Sequence, residues 1–428
     1  MNPTVGLVAR TRALAVGLDL VALCDDNDML YVTDGVGIVG IGCAARVTVP
    51  RHDRTLTAAA ARAAFEPIVV IDELEISGSG PVAFGAFPFD GRLDGELVIP
   101  RIAIGRNTNG TSWVTTIART NDEPSEAELA DVLARGTRIG TGFARDAGLH
   151  PSSDSPSCFD IHPLRSPEEW CAAVTTATER LATGEARKVV LARGIELVTD
   201  RPVSPSAVLS QLRRTFPGSH LFSIDGFVGA TPELLVERSG TIVRAHPMAG
   251  TAPRSGDPET DARLAAALLA STNTKDEHRH TIDMVHDTLL PWCSYLDEEA
   301  EPSIVAVANV QHLSTRLEGQ LSEPIASVLD LVGALHPTPA VGGMPRDAAL
   351  ALIEELEELD RGRYAGPVGW VDAKGNGTWA VGIRSAQING THTRIHAGVG
   401  VVADSQAEQE LAETRAKLQT MLGAIVRP

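Results

Sequence analysis

The segment RIHAGVGVVADSQAEQELAETRAKLQTMLGAIVRP, residues 394–428, has the pattern of a glycine-containing strand, a turn and a long helix. Ser405 followed by Glu408 is a capping-box pattern, which predicts that the helix begins at Ser405. At helical spacing, one face carries the apolar residues Leu411, Leu418, Leu422 and Ile425. Beside that face lie Glu410, Glu413 and Lys417. These polar residues are either solvated or line a pocket. The pocket interpretation needs partners elsewhere in the chain.

Length and charge restrict the classes to which the protein can belong. Its 428 residues are enough for a substantial core, either in two or three average domains or in one large α/β or α+β unit. The formal net charge is −18, whereas nucleic acids and anionic membranes bind basic surfaces, so neither partner is expected. An anionic substrate would need local Arg, Lys or a metal ion to offset this charge.

Cysteine usage and the N-terminal sequence bear on the compartment. The five cysteines are scattered and form no CxxC pair, so neither a disulfide framework nor a zinc site is expected. This usage of cysteine predicts a reducing compartment. Arg10 and Arg12 precede an apolar run that resembles a signal peptide. Asp19 interrupts this run, which predicts a folded segment instead. No apolar run is long enough to span a bilayer.

The first part of the chain, residues 1–120, is rich in strand-forming residues. A hairpin is predicted at 30–49, where the glycines at 35, 37 and 40 have GxGxxG spacing. A dinucleotide site would need a helix to begin there, but strand-like sequence continues. We therefore reject that interpretation. Residues 121–165 are polar and resemble a connector, with a helix predicted at 125–133.

From residue 166 the pattern favours an α+β fold with antiparallel sheets, because strands come in runs and helices are grouped between them. A strand is predicted at 188–198. The strand predicted at 241–245 ends in HPMAGTAPR (246–254), which is predicted as a loop. A single strand is predicted at 313–320.

The helix predicted to begin within KDEHRHTIDMVHD (275–287) contains three histidines, which suggests a zinc site. The histidines do not share one face, so we expect partly exposed helix residues rather than ligands. Glu277 differs, because a carboxylate in the first turn meets the helix dipole and can face a pocket. If Glu277 met Glu413, the two like charges would need a cation between them. Oxygen ligands alone suit Mg²⁺.

Two further residues could carry proton chemistry. Lys188 begins an otherwise apolar strand, where it either protects a sheet edge or is a buried lysine that can serve as a base. Glu233 lies in a turn between strands and is either solvated or catalytic.

The sequence from about residue 166 to 425 resembles the chorismate-utilising enzymes, and most closely the isochorismate synthases. The resemblance is carried by nine stretches in the order of that family: ARKVVLAR (186–193), GATPELL (229–235), PMAGTAPR (247–254), EHRHTID (277–283), VQHLSTRLEG (310–319), ALHPTPAVGGMPR (334–346), RYAGPVGW (363–370), GIRSAQI (382–388) and HAGVGVVADSQAEQELAET (396–414). GPVAFGAFPFD (80–90) matches more loosely.

The resemblance implies a single α+β domain over residues 1–428. Two large antiparallel β-sheets would pack together with helices outside, and the active site would lie in a cleft between them. Residues 166–425 would form the catalytic, chorismate-binding part, and residues 1–165 the more divergent N-terminal part.

The resemblance also assigns roles to single residues. Lys188 matches the base that activates water for attack at C2 of chorismate, and Glu233 matches the acid that protonates the departing C4 hydroxyl. Two carboxylates that hold Mg²⁺ match at Glu277 and Glu413, with Glu410 as an outer acid. Positions that contact the substrate match at Gly250, Thr251, His312, Tyr364, Arg384, Gly398, Gly400 and Lys417.

Two positions separate the isochorismate synthases from their relatives. Anthranilate synthases usually lack a lysine where Lys188 stands, so water rather than ammonia is the implied nucleophile. Ala340, in the substrate site, falls where anthranilate and salicylate synthases typically have Thr and isochorismate synthases have Ala. One departure from the family pattern is at Asn273 and Thr274. The family usually has a Lys and then an acid at these positions, four and three residues before the metal-binding Glu. One outer acid of the metal site is therefore missing or supplied by Asp276.

The leading hypothesis is the Mg²⁺-dependent, reversible isomerisation of chorismate to isochorismate, for a siderophore, menaquinone or salicylate. The alternative is a salicylate synthase, in which loss of pyruvate follows the same addition. A third hypothesis is a non-catalytic protein that binds chorismate-like anions. We expect a cytoplasmic monomer with a small-molecule substrate and neither a nucleic-acid nor a membrane partner.

Overall fold

The computed structural model describes residues 3–15, 17–50, 56–91, 93–137, 156–307 and 310–426. Within these ranges the chain forms 25 strands and ten α-helices. None of the helices in this described part is both long and apolar enough to cross a bilayer.

The strands and helices follow one another without any repeating unit. The strands are β1 (Leu7–Leu14), β2 (Met29–Thr33), β3 (Val36–Ile41), β4 (Ala45–Val49), β5 (Val69–Asp72), β6 (Val82–Ala86), β7 (Gly95–Ile99), β8 (Ile102–Arg106), β9 (Ser112–Arg119), β10 (Phe159–Pro163), β11 (Lys188–Thr199), β12 (His220–Ile224), β13 (Phe227–Thr231), β14 (Leu234–Ser239), β15 (Ile242–Ala245), β16 (Met248–Pro253), β17 (Cys293–Glu298), β18 (Ser303–Val307), β19 (Val310–Ser314), β20 (Leu317–Leu321), β21 (Gly343–Met344), β22 (Pro367–Asp372), β23 (Gly377–Val381), β24 (Ser385–Asn389) and β25 (His392–Val401). The helices are α1 (Leu20–Leu23), α2 (Leu56–Phe65), α3 (Glu126–Thr137), α4 (Pro167–Ala182), α5 (Pro205–Thr215), α6 (Pro258–Ala270), α7 (Thr272–Leu289), α8 (Val328–Leu335), α9 (Arg346–Leu356) and α10 (Ala407–Val426).

These strands build two large sheets and one small sheet. The first has thirteen strands in the order β10-β11-β25-β24-β13-β12-β2-β3-β8-β9-β1-β5, with β21 paired to β11. The second has nine, in the order β17-β20-β15-β14-β23-β22-β6-β7-β4, and the third has three, β16-β19-β18. Neighbouring strands are antiparallel except for β1 and β5. The α+β prediction with two large antiparallel sheets is confirmed, and the small third sheet adds to it.

Both large sheets contain strands from the N-terminal part and from the later part of the chain. In the first sheet β2 pairs with β12, and in the second β6 pairs with β22. The division at residue 165 therefore does not coincide with a boundary between the sheets.

The two large sheets pack face to face through large aromatic side chains. This layer is formed by residues that include Phe84, Trp113, Phe222, Phe227 and Trp370. On the outer face of the thirteen-stranded sheet, α1, α3, α5 and α10 contribute to a second apolar cluster. Helices α2 and α8 pack against the nine-stranded sheet. Burial of this apolar surface provides the main stabilisation of the fold.

Several local predictions can be compared with these elements. The hairpin predicted at 30–49 is confirmed as β2 and β3 up to Ile41, whereas the end of that segment is β4 of the nine-stranded sheet. The helix predicted at 125–133 is confirmed as α3. The segment 246–254 is not a loop throughout, because β16 pairs with β19 there. The strand predicted at 313–320 is two strands, β19 and β20, which belong to different sheets. Part of the predicted connector, residues 138–155, lies outside the described residues.

The final helix carries its apolar stripe as predicted, since Leu411, Leu418, Leu422 and Ile425 are all buried. It begins at Ala407, two residues later than the capping pattern predicts. The Ser405 hydroxyl instead accepts a hydrogen bond from the Val402 N–H, at 3.1 Å.

Candidate active site

All fourteen residues predicted for the site line one cavity, which encloses about 1160 Å³ including its open mouth. They come from the thirteen-stranded sheet, from the small sheet, from α7 and α10, and from the loops between strands. Lys188 begins β11, Glu233 lies between β13 and β14, and His312 lies on β19. The structure therefore brings together residues that the sequence separates by more than 200 positions.

At one side of the cavity, Lys188 meets Glu277 of α7. The Lys188 Nζ lies 2.5 Å from the Glu277 Oε1, and the lysine side chain is only 13% exposed. Of the two interpretations of Lys188, the pocket position is therefore the one observed. The second carboxylate oxygen of Glu277 has no protein partner among the described residues.

At another side, α10 contributes a second lysine and carboxylate pair. The Lys417 Nζ lies 2.6 Å from the Glu413 Oε1 and donates a hydrogen bond to the Gly398 carbonyl at 2.9 Å. Burial lowers the pKa of Lys417, and Glu413 opposes this effect. Glu410 also lines the cavity, and its pKa is raised mainly by burial. The polar margin of α10 thus faces a pocket rather than bulk solvent.

Glu233 and Arg384 are both buried charged groups of the cavity. Burial raises the pKa of Glu233 to about 7, although Lys188 and Arg384 act to lower it. Glu233 is therefore a carboxyl group that can hold a proton at neutral pH. The Arg384 guanidinium has no hydrogen bond or ion pair to a protein group among the described residues, and burial lowers its pKa. A buried, unpaired guanidinium is a site for an anionic ligand.

His312 and its neighbours form a neutral part of the wall. Burial lowers the pKa of His312 to about 3, with further lowering by Arg384 and Lys417. Its Nδ1 lies 3.3 Å from the Gly250 carbonyl oxygen and 3.1 Å from the Thr251 Oγ1. Since the carbonyl can only accept, we assign the proton to Nδ1, which leaves Nε2 as an acceptor.

Two non-glycine residues that line the cavity have unusual backbone conformations. Arg384 has φ +50° and Ala365 has φ +61°. Such residues cost free energy and occur where the surrounding structure fixes them, often at functional sites.

Gly400 has a steric reason to lack a side chain. A Cβ added there would lie 2.4 Å from the Lys188 Cε and 3.1 Å from its Nζ. The resemblance to the chorismate-utilising enzymes predicts contact between Gly400 and the substrate. The structure adds that this glycine leaves room for the Lys188 side chain.

We expect Gly400→Ala to fold normally but to lower turnover by about tenfold, because the methyl group displaces the flexible end of Lys188. Gly423→Ala is the matched control, since no atom lies within 4 Å of a Cβ added at that position. Steady-state kinetics with circular dichroism will measure both properties. Wild-type turnover in Gly400→Ala would show that the position of Lys188 is not critical.

Three findings differ from the sequence analysis or add to it. His278 is not a partly exposed helix residue but is buried, with its Nε2 2.9 Å from the Thr315 Oγ1. Thr274 lines the cavity, whereas the side chain of Asn273 lies outside the described residues. Arg361 also lines the cavity and was not predicted, because the matching stretch RYAGPVGW begins two residues after it.

Comparison with known proteins identifies the family. The family model described as chorismate binding enzyme matches residues 25–426. The chain belongs to the chorismate-binding enzyme family. This membership agrees with a cavity that contains an unpaired buried arginine and a carboxyl group able to hold a proton.

Individual members of the family are similar over most of their length. Isochorismate synthase DhbC of Bacillus subtilis is 40% identical over 278 residues, which cover 62% of this chain and 70% of that protein. Isochorismate synthase MenF of the same organism is 33% identical over 368 residues, which cover 83% of this chain and 76% of that protein. The crystal structure of a DhbC from Bacillus anthracis is 29% identical, with a TM-score of 0.76 over 96% of this chain and 99% of that one.

Proposed function

We propose that this protein is an isochorismate synthase, an isomerase that converts chorismate to isochorismate. The proposal is carried by one observation: a lysine, a carboxyl group with its pKa near 7 and an unpaired arginine line the same cavity. The similarity to DhbC and MenF, both named isochorismate synthases, supports the same activity.

In the proposed reaction, one hydroxyl group enters the ring and another leaves it. Lys188, when unprotonated, accepts a proton from the water that attacks C2 of chorismate. Glu233 gives its proton to the C4 hydroxyl, which departs as water while the double bond shifts. The raised pKa of Glu233 suits this role, because the group must be protonated before the reaction and charged after it.

The substrate carries two carboxylates, and the cavity offers cationic groups to bind them. Arg384 is available because its guanidinium is unpaired within the described part of the chain. Lys417 and the Tyr364 hydroxyl lie near the backbone of Gly398. We propose that these groups hold the carboxylates, that Gly250, Thr251, Gly398 and Gly400 contribute backbone contacts, and that His312 and Ala340 face the ring.

The donor groups of the cavity suit a magnesium ion. Glu277 and Glu413 each have one carboxylate oxygen without a hydrogen bond to a described protein group, and Glu410 is a nearby third acid. Within the described ranges, no three acidic, histidine or cysteine side chains converge closely enough to hold a metal ion. A bound Mg²⁺ would therefore take further ligands from water and substrate, as this ion commonly does. When bound, it would orient and neutralise a substrate carboxylate.

We expect Glu413→Gln to raise the Mg²⁺ concentration needed for half-maximal activity by about tenfold, because a neutral amide is a weaker ligand than a carboxylate. The control is Glu408→Gln, an exposed residue of the same helix that does not line the cavity. Metal titrations after chelator treatment will compare the two variants. An unchanged titration in Glu413→Gln would count against its role as a ligand.

The activity itself is tested by product analysis with chorismate and Mg²⁺. Isochorismate alone supports the proposal. Salicylate together with pyruvate would indicate a salicylate synthase, and binding without turnover would indicate a non-catalytic protein. The predicted cytoplasmic location, the monomeric state and the exclusion of nucleic-acid and membrane partners stay predictions.

A further inference from the structure

The strand that carries Lys188 has a gap in its pairing at the wall of the cavity. Along one edge of β11, β21 pairs with Lys188 and Val189, and β10 pairs only from Ile195 onward. Between these points the backbone groups of β11 still need hydrogen-bond partners, because they are buried.

A buried ion pair fills part of this gap, and the Trp170 indole N–H fills another part by donating to the Ala192 carbonyl at 3.1 Å. The Arg361 Nη2 donates to the Val190 carbonyl at 2.7 Å, and the Ala192 N–H donates to the Glu357 Oε2 at 2.9 Å. Arg361 and Glu357 bind each other through two hydrogen bonds of 2.7 Å. Their side chains are only 3% and 1% exposed. Side chains thus replace a neighbouring strand beside the catalytic lysine.

The same arginine also contacts the loop that leads into β21. Its Nη1 donates to the Val341 carbonyl at 2.9 Å, and Val341 follows Ala340 in the cavity wall. The guanidinium also stacks over the Phe89 ring, with 4.1 Å between its central carbon and the ring centroid. One planar group therefore reinforces the connection between β11 and the loop that carries Ala340. A hydrogen bond from the Val190 N–H to the Gly342 carbonyl, at 2.9 Å, also makes this connection.

Arg361 differs from Arg384 in what its guanidinium can still bind. Four of its five N–H donors are used by Glu357, Val190 and Val341. Arg361 therefore does not bind a substrate carboxylate, whereas Arg384 can. The contribution of Arg361 to the reaction must come through the groups that it holds.

We propose that Arg361, fixed by Glu357, is a positioning residue for the isomerisation. Together with the backbone hydrogen bonds of β21, it helps to fix the separation between the strand that carries Lys188 and the wall formed by Ala340 and Val341. The inference rests on the proposed function, because it is Lys188 and the ring-facing wall that are positioned. A misplacement of about 1 Å at a reacting group can lower the rate by about a hundredfold, so this separation matters for turnover.

The test compares Arg361→Lys with Arg238→Lys. Lysine keeps the charge but cannot reproduce the planar set of donors. Arg238 is the matched control, because its buried side chain also donates to three backbone carbonyls, those of Gly240, Ala326 and Gly375, and it does not line the cavity. We expect both variants to lose thermal stability. Only Arg361→Lys is expected to lose kcat, by about tenfold, with KM changed less than about threefold.

All rates are measured well below each melting temperature, and a second variant, Glu357→Gln, is included in case Arg361→Lys does not fold. Glu357→Gln keeps an acceptor for the Ala192 N–H but weakens the ion pair with Arg361. We therefore expect kcat to fall in this variant too, but less than in Arg361→Lys. If kcat is kept while stability falls equally in the Arg361 and Arg238 variants, the pair is only structural and the proposal is wrong.

Amide hydrogen exchange separates this proposal from the function on which it rests. We expect faster exchange in the segment 188–193 in Arg361→Lys but not in Arg238→Lys. If the wild-type protein makes no isochorismate, the proposed function fails whatever the exchange data show. If it makes isochorismate but neither exchange nor kcat changes in Arg361→Lys, the positioning role alone fails.

Discussion

Lys188→Ala is expected to lower the rate of isochorismate formation by about a thousandfold, which is the size of effect typical for loss of a general base. The side chain lies in the cavity beside Glu277, and no other lysine except Lys417 lines that cavity within the described residues. Lys417 is already paired with Glu413 and bound to the Gly398 carbonyl, so it is not placed to replace the base.

The fold should survive this change. The Lys188–Glu277 pair is partly exposed at the carboxylate, so its loss should alter the free energy of unfolding by less than about 1 kcal/mol. Product formation followed by chromatography, together with thermal unfolding, will separate the two effects. Lys374→Ala, at an exposed turn between β22 and β23, is the control and should keep wild-type turnover. Full activity in Lys188→Ala would exclude this lysine as the base.

Glu233→Gln is expected to lower kcat by at least about a hundredfold, because glutamine cannot donate a proton to the leaving hydroxyl. In the wild-type protein, the pKa of about 7 predicts that kcat falls as the pH rises above 7 and the acid loses its proton. The same fall should be absent from the residual activity of Glu233→Gln. An alkaline decrease of the same size in the variant would assign the titration to another group.

The same substitution should make the protein more stable at alkaline pH. Because the pKa of Glu233 is raised from 4.5 to about 7, the folded protein binds a proton between these pH values that the unfolded chain does not. The free energy of unfolding of the wild type should therefore fall by up to about 3 kcal/mol as the pH rises from 4.5 to 7. Below pH 4.5 both states are protonated, and above pH 7 the loss is complete.

Denaturant titrations at pH 5 and pH 8 will measure this difference. We expect Glu233→Gln to exceed the wild type in stability at pH 8 and to match it more closely at pH 5. Glu237→Gln is a control, because burial also raises the pKa of Glu237, but this residue lies on β14 and does not line the cavity. It should keep wild-type turnover. A gain in stability without loss of activity in Glu233→Gln would contradict its role as the acid.

Local patterns in the sequence predicted local structure well, and their failures have identifiable causes. The apolar stripe of α10 is confirmed because burial follows the helical period directly. The start of α10 is misplaced because Ser405 accepts a hydrogen bond from the Val402 N–H. A local hydrogen bond within the turn therefore overrides the capping preference. The segment 246–254 becomes a strand for a different reason, which is a tertiary contact, since its partner β19 lies about 60 residues further along the chain.

Site residues could be predicted from the sequence where the type of side chain determines the chemistry. They could not be predicted where the role of a residue depends on the backbone groups that its side chain binds. Lys188, Glu233 and Glu277 are recognisable through resemblance to a family, and the structure places them in one cavity. Their grouping could not be derived from the spacing of residues, because it depends on how three sheets pack. Arg361 was missed because it lies two residues before the matching stretch RYAGPVGW, and because the carbonyls of Val190 and Val341 that it binds are independent of residue type.

The position of β25 has a consequence for how the protein is made. This strand follows every other described strand along the chain, yet it lies inside the thirteen-stranded sheet, between β11 and β24. Until residues 392–401 have been synthesised, β11 lacks the strand that joins it to β24. During that time the unpaired edge of β11 is open to pairing with other chains. The sheet, and the cavity wall that β11 and β25 share, can therefore close only after β25 has been made.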